Sequence, residues 1–157
     1  PDKGCFVIRY PRGRGIYTEW KCPLETIEVG TGRKINDGGD VAVLTLGPIG
    51  NDVQDVIATM DKKPAHYDMR FLKPLDENLL KEVAEKYKHI ITIEDGVRNG
   101  GMGTAVMEWL NDNGYTNISV KRMGIPDKFI EHGSIDELRA IIGLDNDTIK
   151  KTICSYM

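Results

Sequence analysis

The sequence is poor in cysteine. Three cysteines among 157 residues, at positions 5, 22 and 154, form an odd set without a close pair. This pattern excludes a disulfide framework and a C-x-x-C metal or redox site. A reducing, cytoplasmic compartment fits best. Cys5 lies in an apolar run and Cys154 in a predicted helix, so we expect both to be packing residues.

The sequence also lacks an excess of basic residues and any long hydrophobic run. Its 21 Lys and Arg residues against 24 Asp and Glu give a net charge of −3, too little positive charge to attract nucleic acid or an anionic membrane. No apolar run approaches the ~20 residues that a membrane helix needs, and no secretory signal opens the chain. We therefore expect neither nucleic acid nor a membrane as a partner.

What the sequence does contain is an alternation of strand and helix patterns. Residues 41–46 and 89–93 are apolar runs typical of strands buried on both faces. Asp76 is a suitable helix N-cap, and Ser134 with Glu137 forms a capping box. Further strands are predicted at residues 27–29, 67–72 and 118–123, and helices around residues 53–60, 76–87, 105–110, 134–142 and 145–157. The alternation predicts an α/β fold with a mostly parallel sheet in a three-layer α/β/α arrangement.

The amino-terminal stretch differs from the rest. Residues 5–10 are predicted to form a strand, and a strand that opens a chain without an earlier partner indicates the end of a preceding domain. Residues 17–26 lack a clear period and are interpreted as a linker. Between them, Arg12 lies on a turn that contains Pro11, a position suited to bidentate binding of phosphate. Arg12 is therefore a candidate phosphate ligand.

Two later loops could carry chemistry, because ligands of open α/β sheets bind beyond the carboxyl ends of the strands. The glycines of residues 94–103 could cradle an anion at a helix start, which would suit a stand-alone anion-binding protein. The loop is neither G-x-G-x-x-G nor a P-loop, and Glu94 and Asp95 would repel a phosphate. A tight strand-to-helix turn at an interface is the favoured interpretation.

The second loop, residues 124–134, holds Asp127, Glu131 and His132. One histidine with two carboxylates is a weak pattern for a metal site or for acid–base catalysis, so a structural or interface role is favoured. His66 and His89 each border a predicted strand and are interpreted as surface or packing residues.

Four strings carry a family resemblance. They are I-R-Y-P-R-G at residues 8–13, D-M-R-F-L-K-P-L-D at 68–76, G-G-M-G at 100–103 and G-I-P-D-K-F-I-E-H-G at 124–133. Together they resemble the carboxyl-terminal end of the 1-deoxy-D-xylulose-5-phosphate synthases of the transketolase superfamily. The second and third strings resemble the superfamily more widely, whereas the last is particular to the synthases. Asp95-Gly96 departs from the family pattern, as does the region of residues 55–64.

The resemblance implies a three-domain parent enzyme. Its first domain carries a G-D-G motif that holds Mg²⁺ and thiamine diphosphate, and its second supplies an activating glutamate; neither motif occurs in this sequence. Residues 1–16 would then be the last strand and turn of the pyrimidine-binding domain, residues 17–26 the linker, and residues 27–157 the transketolase C-terminal domain. That domain is a five-stranded mixed sheet that supports a homodimer. No catalytic, cofactor-binding or metal-binding residue is implied in this chain.

The resemblance also implies a reaction and one site residue. Pyruvate condenses with glyceraldehyde 3-phosphate to give 1-deoxy-D-xylulose 5-phosphate and CO₂, for isoprenoid, thiamine and pyridoxal biosynthesis in the bacterial cytoplasm. Arg12 matches the arginine that holds the phosphate of glyceraldehyde 3-phosphate. The chain alone is expected to be inactive. The alternative is the subunit-docking C-terminal domain of a pyruvate dehydrogenase beta-type component, against which the last string argues.

Overall fold

The computed structural model describes residues 4–5, 7–8, 10 and 24–157. Its strands are Arg33–Asn36 (β1), Val41–Leu46 (β2), Ala65–Asp68 (β3), His89–Val97 (β4) and Ser119–Ile125 (β5). Its helices are Ile49–Ala58 (α1), Glu77–Lys86 (α2), Met102–Asp112 (α3), Ile135–Ile142 (α4) and Asn146–Cys154 (α5). None of these described helices is long and apolar enough to cross a membrane.

The five strands form one mixed sheet in the order β1-β3-β2-β4-β5. Strands β3, β2, β4 and β5 run parallel, and β1 pairs with β3 in the antiparallel direction. β2 and β4 therefore have hydrogen-bonded neighbours on both sides. The predicted α/β class, the mixed five-stranded sheet and the central position of the two apolar runs are confirmed.

Helices cover both faces of the sheet because the side chains of β2 alternate between two cores. Val41 and Val43 belong to the core that contains residues of α1 and α5. Ala42 and Leu44 belong to the opposite core, with residues of α2 and α3. A strand that is buried on both faces must be apolar at nearly every position, which is the pattern of residues 41–46.

The helix boundaries follow the capping signals in the sequence. The Asp76 side chain accepts a hydrogen bond from the Leu79 N–H at 2.9 Å at the start of α2. Ser134 and Glu137 form the predicted capping box of α4. Gly143 ends that helix with a left-handed φ of 74°, a conformation that favours glycine.

Three predicted boundaries were wrong. Residues 27–29 do not form a strand; instead β1 lies at Arg33–Asn36, because those residues find a hydrogen-bonding partner in β3. The strand predicted at residues 67–72 runs from Ala65 to Asp68 and ends where Arg70 adopts a φ of 55°. The strand predicted at residues 89–93 continues to Val97, so the loop expected from Glu94 begins as strand.

The cysteine prediction was also wrong, since Cys5 and Cys154 are both exposed. Cys154 lies in the last turn of α5, which turns Ile149 and Ile153 into the core instead. The strand predicted over residues 5–10 is not seen at its described positions, Cys5, Val7, Ile8 and Tyr10. A strand needs a hydrogen-bonding partner, and the described strands pair only with one another.

Candidate functional site

A cleft opens between the carboxyl ends of β2 and β4. After β2 the chain passes into α1 on one face of the sheet, and after β4 it passes into α3 on the other face. Adjacent parallel strands whose connections leave in opposite directions create a crevice, where α/β proteins commonly bind ligands. The β2–β4 cleft has a volume of about 640 Å³, and its walls come mainly from residues 46–48 and 94–101.

Glu94 forms the polar floor of this cleft. Its side chain is buried, with 5% of the residue exposed. One carboxylate oxygen accepts a hydrogen bond from the Met102 N–H at 2.8 Å, and the other accepts one from the Gly103 N–H at 3.0 Å. These are among the first N–H groups of α3, which has no side-chain cap at Gly101. Glu94 therefore satisfies donors that have no partner within the helix.

Two glycines of the G-G-M-G string make room for this contact. A side chain at Gly101 would collide with the Glu94 carboxylate and the Val97 carbonyl. A side chain at Gly103 would lie 2.5 Å from the Thr92 hydroxyl oxygen. The glycines are thus required by the close approach of Glu94 and β4 to the start of α3.

Hydrogen bonds also fix the outer part of the loop. The Arg98 N–H donates to the Ile125 carbonyl at 2.8 Å, which ties the loop to the end of β5. The Thr104 hydroxyl donates to the Arg98 carbonyl at 3.1 Å. The Arg122 guanidinium donates to the Thr104 hydroxyl oxygen at 2.8 Å and to the Arg98 carbonyl at 3.1 Å. The loop between β4 and α3 is therefore held in a defined conformation by hydrogen bonds to β5 and α3.

These contacts change the interpretation of the glycine-rich loop. The anion-binding alternative at residues 100–103 was wrong, because Glu94 already takes the N–H groups of Met102 and Gly103. The tight strand-to-helix turn is what the structure shows. Glu94 was expected to repel an anion from this place; in fact its own carboxylate occupies it. The signal in the sequence is an acidic residue directly after the apolar run of residues 89–93, eight positions before the first N–H group that it pairs with.

In the second candidate loop, residues 124–134, the three candidate side chains do not form a metal or catalytic site. Asp127, Glu131 and His132 are all exposed. Among the described residues, no group of three or more His, Cys, Asp or Glu side chains could hold a metal ion. Phe129 in the same loop is fully exposed. A structural or interface role remains the prediction for this loop.

His66 and His89 are packing residues, as the sequence indicated. His66 is almost fully buried, and its Nε2 lies 2.9 Å from the Thr45 hydroxyl oxygen. Burial lowers the pKa of His66 from 6.5 to about 4; the nearby Asp68 carboxylate opposes this shift and Arg33 adds to it. His89 packs edge-on against Tyr156, with ring centroids 5.8 Å apart.

The pKa of His66 predicts a loss of stability in acid. Because the folded-state pKa lies below the unfolded value, the unfolded chain binds the proton more tightly between pH 6.5 and 4. His66 should therefore cost up to about 3 kcal/mol of folding free energy as the pH falls through this window, and nothing above it. Urea unfolding at a series of pH values measures how the free energy of unfolding changes with pH. His66→Gln should flatten this pH dependence between pH 4 and 6.5, whereas His132→Gln, at an exposed position, should leave it unchanged. An unchanged pH dependence in His66→Gln would contradict the lowered pKa of His66.

Arg12 lies outside the described residues, as do Cys22 and residues 17–23 of the predicted linker, so the assignment of Arg12 and the domain boundaries remain predictions. Tyr10, two positions before Arg12, is described and lines the β2–β4 cleft.

The fold and the cleft define a class of protein, and comparison with known proteins agrees with it. The sequence profile described as "Transketolase, C-terminal domain" matches residues 30–149, and the chain belongs to this family. The predicted resemblance to the synthases is also confirmed. The chain is 55% identical over 157 residues to the 1-deoxy-D-xylulose-5-phosphate synthase of Bacteroides thetaiotaomicron, covering 98% of this chain and 24% of that protein. It is 38% identical over 161 residues to the synthase of Shouchella clausii, covering 99% of this chain and 25% of that protein.

Two solved structures share the fold. One is described as "Split gene transketolase, inactive beta4 tetramer", with 27% identity and a TM-score of 0.75 over 86% of this chain and 44% of that one. The other is the transketolase of Campylobacter jejuni, with 12% identity and a TM-score of 0.55 over 80% of this chain and 18% of that one. The chain spans about a quarter of the length of the synthases that it matches.

Proposed function

We propose that this chain acts as the C-terminal domain of a 1-deoxy-D-xylulose-5-phosphate synthase. The observation that carries the proposal is the 55% identity to such a synthase across 98% of the chain. The parent enzyme would be a cytoplasmic transferase that condenses pyruvate with glyceraldehyde 3-phosphate and releases CO₂. The same relatives favour this function over a docking domain of the pyruvate dehydrogenase type.

Within that enzyme, Arg12 would hold the phosphate of glyceraldehyde 3-phosphate, and residues 27–157 would support the assembly of a homodimer. The structural neighbour described as a tetramer is a chain that self-associates, which supports an architectural role for this domain. Thiamine diphosphate and Mg²⁺ would be held by the other two domains and would supply the carbanion chemistry.

The described residues of this chain do not fit the cofactor. The N–H groups at the start of α3, which could face a diphosphate, are taken by Glu94. Glu94 and Asp95 both line the β2–β4 cleft, and carboxylates repel a diphosphate. No described group of three His, Cys, Asp or Glu side chains is placed to hold its metal.

Calorimetric titration tests the proposal that the cofactor binds to the other two domains and not to this chain. The 157-residue chain, titrated with thiamine diphosphate in the presence of Mg²⁺, should give no saturable heat, because the motif that binds the cofactor is not in this sequence. The full-length parent enzyme, titrated under the same conditions, should bind and serves as the control. Micromolar binding to the 157-residue chain would refute the proposal that the other two domains hold the cofactor.

A further inference from the structure

His66 has one ring nitrogen without a protein partner inside the fold. The residue lies on β3 and is 1% exposed. Its Nε2 lies 2.9 Å from the Thr45 hydroxyl oxygen, whereas its buried Nδ1 has no hydrogen-bond partner among the described residues. Buried polar atoms without a hydrogen bond are rare in folded proteins. The surroundings of Nδ1 therefore merit a search for a ligand.

The hydrogen bonds of Thr45 decide what Nδ1 can bind. A threonine hydroxyl has one proton, and the Thr45 hydroxyl donates it to the Tyr67 carbonyl at 3.2 Å. The hydroxyl oxygen therefore accepts the 2.9 Å hydrogen bond from the Nε2–H of His66. Burial keeps the ring neutral at neutral pH, and a neutral imidazole carries only one N–H. Nδ1 is thus an acceptor, and its ligand must be a hydrogen-bond donor.

A small cavity lies beside His66, between the edge of the sheet and the start of α1. Its volume is about 30 Å³, which is room for a water molecule but too little for a metabolite. Gly50 brings α1 close at this point, since a side chain there would lie 2.9 Å from the Thr45 hydroxyl oxygen. The lining of this His66 cavity includes Thr45, His66 and Asp68 on the sheet, Arg33 at its edge, and Asn51 and Gln54 in α1.

The charges around the His66 cavity favour a neutral ligand. The Arg33 guanidinium pairs with the Asp68 carboxylate at 3.1 Å, so these two charges balance. The amide side chains of Asn51 and Gln54 are neutral and can both donate and accept hydrogen bonds. In the part of the chain that the structure describes, no group of three His, Cys, Asp or Glu side chains could hold a metal ion. A neutral donor and acceptor of this size is water.

We propose that the His66 cavity is a binding site for one water molecule, which donates a hydrogen bond to Nδ1 of His66 and bridges the edge of the sheet to the start of α1. A buried water needs two to four polar partners, and the side chains of the cavity supply them. The water completes the hydrogen bonding of the His66 ring. It also ties β3 to a helix that begins at Pro48 without a side-chain cap. This site does not depend on the proposed function.

Nuclear magnetic resonance of the isotope-labelled full chain at neutral pH tests the site. Correlation of the ring protons with the ring nitrogens should show the His66 proton on Nε2 and an unprotonated Nδ1. A water that is held for longer than the tumbling time of the protein gives nuclear Overhauser effects of opposite sign in the laboratory and rotating frames. We expect this signal between water and the Hε1 proton of His66, on the carbon next to Nδ1.

Two variants separate a bound water from the Thr45 hydroxyl proton, which exchanges with solvent and could relay the same signal. Gly50→Ala places a methyl group 2.9 Å from the Thr45 hydroxyl oxygen, in the wall of the cavity. It should abolish the water signal at His66, whereas a relayed signal would persist. Gly39→Ala is the matched control, because a methyl group there has no neighbouring atom closer than 4.0 Å, and it should keep the signal.

His89 provides an internal control in the same sample. Its Nδ1 is also buried without a partner among the described residues, but it does not line the His66 cavity. It should show no signal from a long-lived water.

The wild-type measurement decides the question even if Gly50→Ala does not fold. A proton on Nδ1 of His66, or no signal from a long-lived water at its Hε1, would overturn the proposal. Persistence of the signal in a folded Gly50→Ala would overturn it as well. If the wild type showed no such water and the Nδ1 resonance moved in Gln54→Ala, the donor to Nδ1 would be the Gln54 amide instead.

Discussion

Leu44→Ala is expected to lower the free energy of unfolding of the chain by about 2–5 kcal/mol. Leu44 is 0% exposed and lies in β2, the central strand of the sheet. It is paired in register with Tyr67 of β3 and Thr92 of β4. Truncation removes buried methyl groups, and the neighbours on both sides cannot close the cavity without breaking strand pairing. Urea unfolding measures this loss of unfolding free energy, provided that the m-value is unchanged.

The chain offers a matched control for this experiment. Leu24 is 85% exposed, so Leu24→Ala makes the same chemical change without a buried cavity and should shift the free energy of unfolding by less than about 0.5 kcal/mol. A cost below about 1 kcal/mol for Leu44→Ala would mean that β2 is not a central, doubly covered strand. The sheet order described above would then be incorrect.

The elements that could be predicted from the sequence are those whose burial is dictated by local pattern. β2 and β4 are buried on both faces, so their residues are apolar in continuous runs. The starts of α2 and α4 carry capping side chains. β1 has no such signal: Arg33–Asn36 is polar and partly exposed, and it is a strand only because β3, about 30 residues later, supplies its hydrogen bonds. An edge strand of this kind depends on tertiary contact.

The position of the candidate site could be predicted from the sequence, but its side-chain contacts could not. The rule that ligands bind at the carboxyl ends of parallel strands indicated the loop after β4. The role of Glu94 could not be predicted from composition, because an acidic residue beside glycines usually indicates a solvated turn. It became an internal ligand because β4 extends past residue 93 and carries Glu94 under the start of α3. The role of Glu94 therefore depends on how the strand, the turn and the helix are arranged in the fold.

Arg12→Ala in the full-length parent enzyme is expected to lower kcat/KM for glyceraldehyde 3-phosphate by roughly 30- to 4000-fold. The proposed guanidinium–phosphate contact is charge-assisted and bidentate, and loss of one partner of such a pair costs on the order of 2–5 kcal/mol. At 1.4 kcal/mol for each factor of ten, that cost gives the stated range. Arg12→Lys should recover only part of the activity, because a point charge cannot reproduce the planar fork of the guanidinium.

The choice of substrates distinguishes phosphate binding from a structural role of Arg12. Pyruvate has no phosphate, so its KM should change little in Arg12→Ala. Unphosphorylated D-glyceraldehyde should be used about equally poorly by the variant and the wild type, since this substrate has no phosphate for Arg12 to hold. Arg14→Ala, two positions along the same segment, removes an equal charge and should have a much smaller effect on glyceraldehyde 3-phosphate. If Arg12→Ala slowed the reaction of both aldehydes alike, Arg12 would be supporting the turn, and the phosphate of the substrate would need another partner.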